Sequence, residues 1–210
     1  MKHGFFITLE GNDGAGKTTV ALGLKKELER RGYEVVYTRE PGGSKIAEKI
    51  RDILLNDTQE SMDARTEALL FAASRRQHLK QIVIPALEEN KVVLCDRFVD
   101  SSLAYQGVAR ELGLEEVWKI NQFAIENCMP QLTLFLKVSI ETGQKRMNIR
   151  GEKNRLDREQ DSFHQKVREG YDLLIQKFPE RIQVIDAEPD PQTVLESCVK
   201  TVLKGMEAHG

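Results

Sequence analysis

Apolar residues recur along this chain at two spacings. Short β-rich or fully apolar runs fall at 5–10, 34–38, 92–95, 132–136 and 182–185. Their length and β-branched content predict five strands. Between them, apolar positions repeat at helical spacing over 17–31, 44–55, 66–89, 115–127, 140–149, 160–177 and 190–207. Strands alternating with helices predict a parallel sheet covered on both faces. The expected architecture is α/β, a three-layer α/β/α sandwich around a five-stranded parallel sheet. Pro85 lies inside the third helical stretch, so a kink or break is expected there. No repeat, low-complexity tract or linker interrupts the pattern, and one domain over 1–210 is expected.

Ligands of such folds bind beyond the carboxyl ends of the strands. The first strand runs into Gly11-Asn12-Asp13-Gly14-Ala15-Gly16-Lys17-Thr18, which fits G-x-x-x-x-G-K-[ST] at every fixed position. A strand before it and a helix after it give the context of a phosphate-binding loop. Backbone N–H groups of the loop turn onto phosphate oxygens, and the helix N-terminus favours the same anion. Residues 11–19 are therefore expected to hold a nucleoside triphosphate, with Thr19 closing the segment. Lys17 reaches toward the β- and γ-phosphates, and the Thr18 hydroxyl toward Mg²⁺.

Composition adds little. A formal net charge of −2 gives no bulk basic surface for nucleic acid or anionic membrane. No apolar run approaches the ~20 residues of a membrane span. No signal or transit segment is expected ahead of the first strand. Cys95, Cys128 and Cys198 match no metal spacing and read as reduced thiols, so a cytoplasmic location is expected.

The remaining charges gather at strand ends. Val92-Val93-Leu94-Cys95 leads into Asp96, the form of the second Mg²⁺-associated strand in phosphate-loop proteins. Arg39 and Arg97 follow strand ends, and Arg51, Arg75 and Arg76 lie on the two helices after the second strand. An arginine presents a planar fork matched to phosphate, as an acceptor phosphate requires. The basic segment 144–158 contains Gly151 and falls between two helical stretches. It reads as a mobile lid, centred on 146–158, that brings arginine over a transferring phosphoryl group and excludes water.

These residues bring the chain to a family. Phe6-Ile7-Thr8-Leu9-Glu10-Gly11, the phosphate loop, Thr38-Arg39-Glu40-Pro41-Gly42-Gly43, the stretch 65–76, the stretch 96–107 and Asn154-Arg155-Leu156-Asp157 together resemble the thymidylate kinases. The Arg-Glu-Pro-Gly-Gly and Ser-Leu-Ala-Tyr-Gln segments are the most specific. The resemblance covers essentially the whole chain. It implies transfer of the γ-phosphoryl group of ATP to dTMP with Mg²⁺, in a nucleoside monophosphate kinase-like fold. It further implies that Phe71 stacks on thymine, that Arg75 donates to its O4, and that Gln106 bonds the base with Ser102 beside it. Tyr105 would crowd the sugar C2′, and Asp13 would accept from the 3′-OH. Arg51 and Arg97 would grip the dTMP phosphate with Arg39 nearby, while Glu40 and Asp96 would act around Mg²⁺. Lys17, Arg39, Glu40 and Arg97 would serve catalysis. Some members carry an arginine where this chain has Gly14, so the lid is expected to supply the transition-state charge, as in the bacterial-like pattern. Arg150 and Arg155 are the leading candidates, and Arg146 and Arg158 stay open. Phe98 stands where a tyrosine often follows Asp-Arg. The resemblance also suggests a homodimer, with the helices around 66–87 as interface.

Two rivals fit less well. A regulatory GTPase needs Asn-Lys-x-Asp after a strand, and Asn90-Lys91 instead opens one. A deoxynucleoside kinase needs a general base for a neutral hydroxyl, whereas a phosphate acceptor needs additional arginine. A phosphate-loop module that holds ATP without turnover differs from both in assay rather than in sequence.

Overall fold

Five parallel strands form the sheet: β1 (Phe5–Glu10), β2 (Val35–Arg39), β3 (Val92–Asp96), β4 (Leu132–Lys137) and β5 (Ile182–Asp186), ordered β2-β3-β1-β4-β5. The computed structural model describes residues 4–56, 61–150 and 154–209, with backbone alone at 148–150. β1 and β3 are buried along their whole length, which is why they read as mainly apolar runs.

β1 sorts its side chains by parity. Phe5, Ile7 and Leu9 enter a core with α1 (Lys17–Arg30) and α9 (Pro191–Ala208), among them Leu24, Leu28, Cys198 and Val202. Phe6 faces the opposite core with Val93, Phe98, Leu103, Phe135 and Tyr171. Thr8 and Glu10 share that parity and are fully buried. α2 (Lys45–Leu55), α3 (Ala64–His78) and α6 (Leu114–Ile125) join the second face. Asp63 and Asp190 cap α3 and α9, each accepting from two first-turn amides, as their side-chain type favours.

The helix expected over 66–89 is continuous but changes pitch. α3 opens into a π-helical turn at Leu79–Val83 before α4 (Ile84–Glu88), in which Pro85 occupies the first turn. Pro85 lacks an N–H, and a wider turn ahead of it relieves the clash of its ring with the preceding carbonyls. Residues 99–109, read as no element from sequence, form α5 (Val99–Ser102) and a π-helical segment, Leu103–Ala109. Val99, Leu103, Ala104, Tyr105, Gln106 and Ala109 are all buried, so this helix has no polar stripe to betray its period. Helices α7 (Ile140–Arg150) and α8 (Asp161–Lys177) complete the described fold. No described helix is long and apolar enough to cross a membrane.

α8 crosses the π segment at Gly170, where a Cβ would lie 2.9 Å from Ala104 Cα. Gly170→Val is therefore expected to destabilise the fold by ~1–3 kcal/mol through overpacking. Urea unfolding reads this as a lower midpoint at constant slope, and an unchanged midpoint would show that this approach is not tight.

Candidate active site

The loop after β1 carries left-handed backbone of the kind that favours glycine. Gly14 has φ +80°, and a Cβ there would run into the Gly143 carbonyl of α7 and lie 2.8 Å from Gly143 Cα. Position 14 therefore has no room for an arginine while α7 sits over the loop. Lys17, the first residue of α1, folds back and donates from Nζ to Gly11 O at 2.9 Å and Asn12 O at 3.0 Å. The neighbouring Thr18 hydroxyl donates to Asp96 Oδ2 at 2.8 Å, which joins the loop to the end of β3. A hydroxyl and a single carboxylate are the hard oxygen donors that suit Mg²⁺, whose other ligands are typically phosphate and water. Among the described residues, no group of three or more His, Cys, Asp or Glu is placed to hold a metal.

Register brings Arg97 to the same point. Leu9 pairs with Asp96, so β3 ends beside Glu10 and the loop. Arg97 adopts φ +70°, a conformation that costs a non-glycine residue about 1–2 kcal/mol. Two bonds hold it there: Arg97 N donates to Leu9 O at 2.9 Å, and Phe98 N to Glu10 Oε1 at 2.8 Å. The guanidinium then meets Asp13 Oδ1 at 2.5 Å, Ser101 Oγ at 3.1 Å, and Tyr105 Oη and Tyr171 Oη at 3.3 Å each. Tyr105 Oη donates to Asp13 Oδ2 at 3.0 Å. Beneath this, Glu10 Oε2 accepts from Ser101 Oγ at 2.6 Å and Tyr171 Oη at 2.8 Å.

Burial and charge set the protonation of this group. Burial alone would raise Asp13, but the Arg97 and Lys17 charges hold its carboxyl well below the usual range. Burial, helped by the Asp100 charge, pushes Glu10 up to about 7. Burial and then Arg97 lower Lys17 to about 8. Burial raises the Tyr105 phenol, so it stays a neutral donor.

The second strand end supplies the other arginines. Arg75, fully buried, donates from Nε to Glu40 Oε2 at 2.7 Å and from Nη1 to Ser102 Oγ at 3.1 Å and to Asn121 Oδ1. His78 Nδ1 lies 2.9 Å from Glu40 Oε1, so both Glu40 oxygens are engaged. The structure turns Glu40 toward Arg75 and His78 rather than toward Thr18 and Asp96. Arg39 Nη1 and Arg51 Nη1 both donate to Pro41 O, at 3.2 and 2.8 Å. Burial and the like charge of Arg39 lower the Arg51 pKa, against the opposing pull of Glu48, which pairs with Arg39 at 3.0 Å.

These groups line one cavity of about 740 Å³. Its wall includes residues 13–19 of the loop, Arg39, Glu40, Arg51, Phe71, Arg75, Asp96, Arg97, Ser102, Tyr105 and Gln106. Gly11 and Asn12 lie behind the loop as acceptors for Lys17. Arg155 is drawn elsewhere, donating to Leu54 O at 2.9 Å and Glu67 Oε2 at 2.6 Å. The Arg150 side chain and residues 151–153 lie outside the described residues. Sequence reasoning missed the far end of the cavity, formed by residues 187–191. Arg146 Nη1 ties α7 to that loop at Ala187 O, 3.1 Å away. The available signal was position, since 187–191 follows the carboxyl end of β5.

The family model described as Thymidylate kinase matches residues 9–198. A thymidylate kinase of Bacillus pumilus is 56% identical over 201 residues, 95% of each chain. One of Clostridium novyi is 54% identical over 206 residues, covering 97% of this chain and all of its own. The crystal structure of thymidylate kinase from Ehrlichia chaffeensis matches with a TM-score of 0.78 at 31% identity, covering 95% of this chain and 98% of that one.

The depressed Lys17 pKa has a measurable consequence. A lysine near 8 in the fold and near 10.5 unfolded binds fewer protons when folded, so its charge costs stability at neutral pH and the cost fades as pH rises from 8 to 10.5. A triphosphate bound against Lys17 would offset that cost. Calorimetry at pH 8.5, in buffers of different ionisation enthalpy, is expected to show uptake of roughly three-quarters of a proton with a nucleoside triphosphate. Lys17→Met should abolish the uptake. Equal uptake in both proteins would mean that Lys17 does not meet the phosphates.

Proposed function

The chain belongs to the thymidylate kinase family, and we propose that its cavity is where the γ-phosphoryl group of ATP passes to dTMP, giving dTDP and ADP. The activity is that of an ATP-dependent phosphotransferase of nucleotide biosynthesis. The observation that carries the assignment of roles is the Asp13–Arg97 contact, because it sets the donor loop and the acceptor arginines in one cavity.

On this reading the loop amides and Lys17 hold the donor phosphates. Thr18 and Asp96 would hold Mg²⁺, which when bound draws charge from the phosphate oxygens. Arg97, Arg51 and Arg39 receive the phosphate of dTMP. That phosphate is already an anion, so the transfer needs no general base and gains from position and cations instead. Asp13 accepts from the sugar 3′-OH, and Tyr105 fills the space a 2′-hydroxyl would need. Phe71 stacks on thymine, Arg75 donates to O4, and Ser102 and Gln106 line the base edge. Glu40 acts through Arg75, whose guanidinium it orients. Arg155 ties the lid to the acceptor side, so Arg150, the last residue of α7, is taken as the lid cation that serves catalysis, with Arg146 and Arg158 as the alternatives. A homodimer fits the exposed apolar side chains on α3 and α6: Leu69 is 56% and Phe123 90% exposed.

A coupled assay tests the reaction. ATP turnover is expected with dTMP and not with thymidine, and to fall when GTP replaces ATP. Phosphorylation of thymidine, or ATP hydrolysis independent of dTMP, would contradict it. Arg150→Ala is expected to lower kcat by ~10²–10³ while leaving the KM for dTMP unchanged. A wild-type kcat in that variant would move the catalytic charge to another residue.

A further inference from the structure

Glu67 is not itself part of the cavity wall, yet it is fully buried and gathers four donor contacts from three side chains. Gln106 Nε2 donates to Oε1 at 2.8 Å. Arg110 donates to Oε1 at 3.3 Å and to Oε2 at 3.1 Å, and Arg155 to Oε2 at 2.6 Å. Burial would raise its pKa, but these donors, Arg110 and Gln106 foremost, lower it instead, so Glu67 is ionised. An ionised carboxylate accepts hydrogen bonds and donates none. The Gln106 amide therefore has one possible orientation against it, with Nε2 toward Glu67. Its other edge, the Oε1 carbonyl, remains for the cavity that Gln106 lines beside Phe71 and Arg75.

From this geometry we propose that Glu67 is a positioning residue for base selection: it locks Gln106 with its carbonyl toward the base. This rests on the reading of the cavity as a dTMP site. Thymine carries an N–H at N3, which a carbonyl accepts. Cytosine carries a lone pair at N3, which a carbonyl repels. A free glutamine would rotate and serve either base, because its amide can turn a donor or an acceptor outward. A glutamine fixed by a carboxylate cannot, and a mispaired buried polar edge discriminates strongly. The same carboxylate holds Arg155 of the lid segment, so the base edge and the end of the lid share one anchor.

The test uses Glu67→Gln in the full-length enzyme. Arg110 and Arg155 keep the new carbonyl oxygen, so the new NH₂ faces Gln106 and turns that amide around. The ratio of kcat/KM for dTMP over dCMP is expected to fall about 10–100-fold, by loss for dTMP and gain for dCMP. In a Gln106→Ala background, Glu67→Gln should leave the ratio unchanged, an outcome that a merely structural role for Glu67 would not produce. Thermal unfolding confirms that each variant is folded. Should Glu67→Gln not fold, Gln106→Ala alone carries the test, since it must lower the ratio if the amide is fixed as described. An unchanged ratio in folded Glu67→Gln, or in Gln106→Ala, overturns the proposal. Absence of dTMP turnover in the wild type would instead overturn the site assignment beneath it.

Discussion

The ion pair between Asp13 and Arg97 is the contact on which the rest of the site depends. Isolated buried charges are costly, and a buried pair survives only if its remaining donors and acceptors are also satisfied. Here they are. Arg97 reaches Asp13, Ser101, Tyr105 and Tyr171, and Asp13 accepts from both Arg97 and Tyr105. The pair forms because β1 and β3 lie side by side in register, so that both strands end at the same height. The left-handed backbone at Arg97 is the cost of turning its side chain back over the loop, and the bonds to Leu9 and Glu10 offset it.

The parity of β1 explains why this polar cluster can sit on a hydrophobic fold. One face of the strand feeds an apolar core, and the other carries Thr8 and Glu10 beneath the site. Thr8 meets Thr133 at 2.8 Å, and Arg181 joins Thr133 to Asp100. This seam runs through the sheet under the cavity floor, with each partner satisfied. A satisfied buried network is rigid, which is what a site that works by position requires.

Much of this was legible in the sequence because the chemistry lies at strand ends. Strands and helices follow from periodicity, and the loop, Asp96 and Arg97 follow from their places after β1 and β3. The segment 99–109 was not legible as a helix, since burial on nearly every side removes the amphipathic signal. The partners of Glu40 were hidden too: nothing local to 38–43 announces that Arg75 and His78, on another helix, occupy both of its oxygens. Arg155 reads as a lid cation from its neighbours, and only the tertiary fold brings it to Glu67. Residues that act through long-range pairing leave no periodic trace.

The dependence of the site on the Asp13–Arg97 pair is most directly tested by a double-mutant cycle. Asp13→Ala, Arg97→Ala and the double variant would be compared in kcat/KM for dTMP. If the pair organises the acceptor half as described, the two losses overlap, and the coupling energy reaches about 1–3 kcal/mol. Losses that simply add, to within about 0.5 kcal/mol, would mean that the residues act independently and that the site is organised by something else.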